Sequence, residues 1–116
     1  MKKATFVIET GNVDSNGDII SLDGLKIPDK KIPILVDFDN SNCIGFADVV
    51  KEDGVLKANA EFTDRYFDGF PAIGFQVISS EPNEHGGRNI TEAKLYSVGI
   101  SMLPNVDPSI KRLSEQ

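Results

Sequence analysis

The sequence is poor in the side chains that carry most protein chemistry. Its 116 residues include one cysteine, Cys43, one histidine, His85, two methionines and no tryptophan. A lone cysteine excludes an intrachain disulfide. One cysteine with one histidine cannot build a Cys/His zinc cage without carboxylates or a second chain. No metal or cofactor is therefore expected, and Cys43, set before Ile44-Gly45-Phe46, reads as a core thiol rather than a reactive thiolate. Cations are scarce too: 12 Lys and Arg stand against 18 Asp and Glu, a formal net charge of −6. That balance repels a phosphate backbone unless a local basic patch overrides it, and the lysine pairs Lys2-Lys3 and Lys30-Lys31 do not amount to one, so no nucleic-acid partner is expected. No apolar run approaches the ~18 residues of a membrane span. The stretch after Met1-Lys2-Lys3 is too short for a secretory signal, and the expectation is a chain made in a cytoplasm with no membrane partner.

What is present is a succession of short β-branched and aromatic runs punctuated by Gly, Pro, Asn and Asp, which predicts a mainly β, compact single domain, a sandwich or barrel with one or two short helices. Strands are predicted over 4–10, 19–20, 32–36 and 73–79, with one or two more across 90–95 and 98–103. The clearest hairpin joins 44–50 to 55–62 through Glu52-Asp53-Gly54, because Leu56, Ala58, Ala60 and Phe62 alternate with polar residues in its second arm. Thr63 is placed to cap a helix of at most two turns through Tyr66 and Phe67. Phe46, Phe62, Tyr66, Phe67, Phe70 and Phe75 are expected as core aromatics. The domain is expected to span 1–104, with 105–116 as a C-terminal tail.

Few residues qualify for chemistry. Asp14, Asn16 and Asp18 have the alternating oxygens of a calcium loop, but Leu25 stands where the closing bidentate Glu belongs, and a polar turn explains them as well. Asp37 and Asp39 flank Phe38 at strand spacing and so form a candidate carboxylate pair. His85 sits in a polar loop context, Asn83 to Gly87. Ser79, Ser80, Ser97 and Ser101 are nucleophiles only if a base and an oxyanion hole accompany them, and the sequence shows neither beside any of them.

The order of segments nevertheless carries a resemblance. Asn16-Gly17-Asp18-Ile19-Ile20, then Ile32-Pro33-Ile34-Leu35-Val36-Asp37-Phe38-Asp39, Ile44-Gly45-Phe46, Glu52-Asp53-Gly54-Val55-Leu56, Ala72-Ile73-Gly74-Phe75 and finally the run from Glu92 to Pro104 follow one another as in the prohead (capsid maturation) serine proteases of tailed bacteriophages. The likeness runs from about Gly11 to Pro104, and it implies the compact β-barrel that this family shares with herpesvirus assemblins. It also implies where catalysis would be. The histidine base of the family falls on Phe38, the serine nucleophile on Ala72 and the third triad member on Ser97.

Phe38 has no titratable nitrogen and Ala72 no oxygen to attack a carbonyl. Losing triad members together costs orders of magnitude in rate. The resemblance therefore implies a catalytically inactive relative, with Phe38 facing Ala72 and turning the former groove into packed core. The expected role is a non-enzymatic structural protein of the virion, a capsid decoration or auxiliary head protein that binds the major capsid protein or other phage head proteins, with self-association as a further partner option. Two alternatives stand beside it: an active prohead protease using His85 with Ser79 or Ser80, and a transient capsid assembly or scaffolding factor.

Overall fold

The structure is a computed structural model and describes residues 1–63, 65 and 68–116. The predicted helix after Thr63 falls largely on Asp64, Tyr66 and Phe67, outside the described residues. Strand accounts for 55% of the described residues and helix for 4%, which places the chain in the mainly β class. The described residues form eight strands: β1 (Lys2–Glu9), β2 (Ile19–Ile20), β3 (Leu25–Lys26), β4 (Ile32–Val36), β5 (Cys43–Glu52), β6 (Val55–Phe62), β7 (Phe70–Pro82) and β8 (Arg88–Ser101). A 3-10 turn follows at Leu113–Glu115.

Strand β8 is the spine. Along one edge it pairs antiparallel with β7, from Phe70↔Ser101 to Pro82↔Arg88. Along the other it takes β2, β3 and β4 in turn, all parallel. The sheet then continues antiparallel from β4 through β5 and β6 to β1 and curls into a half-barrel. The β5–β6 hairpin closes as predicted. Glu52 pairs with Val55 across Asp53-Gly54, and both turn residues have positive φ, 55° and 76°, the signature of the tight turn that matches strand twist. Its inward residues Ala47, Leu56, Ala58, Ala60 and Phe62 meet Phe6, Ile8, Ile34, Leu95 and Val98 in one core.

Strand β8 explains why its sequence reads as one strand or two. Ser97 pairs with Gly74 but Leu95 pairs with Phe75, so Tyr96 is the extra residue of a β-bulge. The bulge resets the alternation. Leu95 and Val98, three apart, both reach the core, whereas Tyr96, Ser97 and Gly99 leave it.

A bulge also corrects the expectation for Cys43. Leu35 pairs with Cys43 and Ile34 with Gly45, so Ile44 is the extra residue there and packs against the core, while Cys43 is exposed. Not all the aromatics are core either. Phe62 is fully buried, but Phe46 is 53% exposed because it shares the outer face with its cross-strand neighbour Pro33.

The segment expected as a tail returns across the body. Ile110 and Leu113 are buried. The Leu113 N–H donates to the Gly69 carbonyl just before β7, and the Gln116 side-chain amide exchanges hydrogen bonds with the backbone of Val7 in β1. Residues 105–116 thus form a strap that ties β1 to the start of β7, where the Asn105 side chain also donates to the Pro71 carbonyl.

Candidate functional site

Phe38, Ala72 and Ser97 converge on the outer face of the β7–β8 pair. Cross-strand partners share a face, so Ala72 lies with Gly99 and Gly74 with Ser97. The alternating residues Ile73, Val98 and Ile100 belong to the core, which puts the other four on the opposite side of the sheet. Strand β4 ends beside them, with Leu35 opposite Gly99 and Val36 opposite Ile100.

The chain then turns sharply. The Asp39 N–H donates to the Val36 carbonyl at 3.0 Å, and both residues between have positive φ, 51° at Asp37 and 58° at Phe38. Such a turn normally takes Asn or Gly, and a bulky aromatic in the left-handed region is uncommon. It is held by the Asp37 N–H, which donates to the Ile100 carbonyl at 3.0 Å. The turn swings the Phe38 ring over the sheet. A Cβ on Gly99 would collide with that ring, and one on Gly74 would lie 3.3 Å from it. The Ser97 hydroxyl fills the remaining space beside Gly74. The two glycines are therefore the floor on which the aromatic rests.

This geometry corrects two expectations. Phe38 does not become packed core: it is 43% exposed, because it caps the sheet from outside. Nor do Asp37 and Asp39 form a carboxylate pair. They belong to a turn, not a strand, and the Asp39 carboxylate accepts from the Ser41 hydroxyl and N–H at 2.7 and 2.9 Å, bonds that hold its pKa below the ordinary aspartate value. Among the described residues nothing at the patch combines a nucleophile with a base: Ser97 is 7% exposed and its neighbours there are a phenyl ring, a methyl and two glycines.

His85 lies elsewhere. It sits at the tip of the β7–β8 hairpin, about ten residues along the ladder from Ala72, or roughly 30 Å. Its imidazole faces Glu84 at 3.8 Å, and its backbone N–H donates to the Asn83 side chain. Among the described residues no hydrogen bond joins it to Ser79 or Ser80. The calcium-like loop is likewise committed to the backbone. Asp14 accepts from the N–H groups of Asn16 and Asp18, and Asp18 accepts from that of Arg88. No group of three or more metal-ligating side chains is assembled among the described residues.

A second polar cluster, which the sequence reading missed, ties the strap to β1. The Asp107 carboxylate accepts from the Ser109 hydroxyl and N–H and from the Thr10 hydroxyl. Burial acts to raise its pKa, but these bonds outweigh it and hold the carboxyl below the ordinary value. Next to it, Glu9 accepts from the N–H groups of Thr10 and Gly11, yet its pKa is raised, chiefly by burial. The two halves of this cluster, residues 9–11 and 107–109, are far apart in sequence, and only the short spacing of Asp107 and Ser109, which permits a local side-chain-to-backbone turn, was available as a signal. No family model, curated protein or solved structure matches this chain.

Proposed function

We propose that this chain is a non-enzymatic structural protein of a tailed-phage head, a decoration or auxiliary protein built on an inactivated prohead-protease-like barrel and binding the major capsid protein. One observation carries the reading. The three positions to which the resemblance assigns base, nucleophile and third triad member, far apart in sequence, are gathered around one outer patch of β7 and β8, and that patch is occupied by Phe38, Ala72 and Ser97. An aromatic ring stands where a proton acceptor would be needed and a methyl where a nucleophile would be needed, so the constellation supports binding without hydrolysis.

The test is the composition of particles from the host that carries this sequence. Quantitative mass spectrometry of purified mature particles is expected to find the chain in many copies, and incubation with the major capsid protein is expected to leave that protein uncut. Absence of the chain from both immature and mature particles would sink the proposal. Presence in immature particles alone would replace it with a transient assembly role, and specific cleavage lost in His85→Ala would replace it with a protease.

A further inference from the structure

The fold adds Lys94 of β8 to the neighbouring Lys26, Lys30 and Lys31 and so assembles a basic face. The segment after β3 (residues 27–31) and the middle of β8 enclose a groove of about 590 Å³ lined by Lys26, Lys30, Lys31 and Lys94, with Pro33 and Tyr96 among its apolar walls. No Asp or Glu lines it among the described residues. Lys31 also lines an adjoining groove with Lys3, the exposed Phe46 and Glu61, so the purely basic lining is confined to the first groove. Its cations are largely uncommitted. Lys26 reaches Glu92 at 3.8 Å, and the Lys94 ammonium stands 5.5 Å from the centre of the Tyr96 ring. Lys3, Lys30 and Lys31 make no ion pair with any described residue.

The rest of the molecule has the opposite sign. Setting the four groove lysines aside leaves eight cations against 18 carboxylates, a balance of −10. We infer that this groove docks an acidic, extended peptide segment of a partner protein, its carboxylates on the lysines and its apolar side chains against Tyr96 and Pro33. The charge contrast selects the class of partner. A short acidic segment keeps its charge within the groove, whereas a nucleic-acid strand would run out over a surface that repels it. Tyr96 suits the role because its ring is held: the hydroxyl donates to the Gln76 side chain at 2.6 Å, and the residue is 47% exposed. A rigid aromatic beside cations costs little entropy to dock against. The inference is read from this face alone and holds whether or not the chain is a head protein.

The experiment is fluorescence anisotropy with the full chain and a labelled, alternating Glu-Val peptide of about ten residues, long enough to span the groove when extended. Binding is expected, weakening as salt rises and the pairs are screened. The double variant Lys30→Glu/Lys31→Glu is expected to weaken it about tenfold, with circular dichroism unchanged. Lys111→Glu, outside the groove, is expected to change it by less than about twofold. No binding at low salt, or equal loss in both variants, overturns the inference. Tighter binding of an oligothymidine of equal length overturns it in favour of nucleic acid. A dimer seen by sedimentation and abolished by the double variant overturns it in favour of a second copy of the chain.

Discussion

The ring of Phe38 occupies the space that a side chain on Gly99 would need. The turn that carries the ring and the strand that receives it are thus matched: a residue larger than glycine at 99 and an aromatic at 38 exclude one another. Gly99→Ala is expected to cost about 1–3 kcal/mol as an overpacking change. In a Phe38→Ala background that cost should fall by about 1 kcal/mol or more, since the clashing partner is gone. Urea unfolding of the four proteins measures the coupling, and strictly additive costs would show that the ring does not rest on Gly99.

Leu113 tests the strap. It is 2% exposed and belongs to the core. Leu113→Ala is expected to lower stability by about 2–4 kcal/mol, as for other fully buried leucines. Lys111→Ala, on the exposed side of the same segment, should stay within about 0.5 kcal/mol of the parent. Equal, small effects in thermal unfolding would mean that residues 105–116 do not hold β1 to the start of β7.

Asp107 and Glu9 predict opposite pH dependences from neighbouring positions joined through Thr10. The carboxyl of Asp107 is held below its ordinary value, so its ionised form contributes stability above the unfolded aspartate range, and that contribution is lost as pH falls through the folded value. Asp107→Asn should therefore cost about 2–3 kcal/mol near neutral pH, the worth of hydrogen bonds to a buried charge, and progressively less in acid. Glu9 is raised, so ionising it costs stability as pH climbs through the carboxylate range and beyond. The stability of Glu9→Gln relative to the parent should improve over that same rise. Urea titrations at a series of pH values check both signs, and parallel pH profiles for the two variants would refute the assignment.

Much of the backbone was legible. The alternation in Val55–Phe62 and the Asp53-Gly54 turn specify the hairpin because each strand residue must choose a face and the turn needs positive φ. The bulges were not legible. Nothing local marks Tyr96 or Ile44 as the extra residue, since a bulge is fixed by the register of the partner strand. Cys43 and Phe46 read as core in the sequence and are exposed in the fold for that kind of reason: a side chain's burial follows from the phase of its strand and from what covers each face.

The scarcity of Cys, His and cations set limits that the sequence determined by itself, because composition alone decides which disulfides, cages and charge balances are available. Local patterning determined the mainly β class, through the period of two. Tertiary structure alone decided the rest. It gathered Phe38, Ala72 and Ser97 on one outer patch, drew Leu113 into the core and assembled lysines from β3, the segment before β4 and β8 around one groove. Those juxtapositions depend on how β8 pairs with four other strands, a long-range choice that no window of the sequence contains.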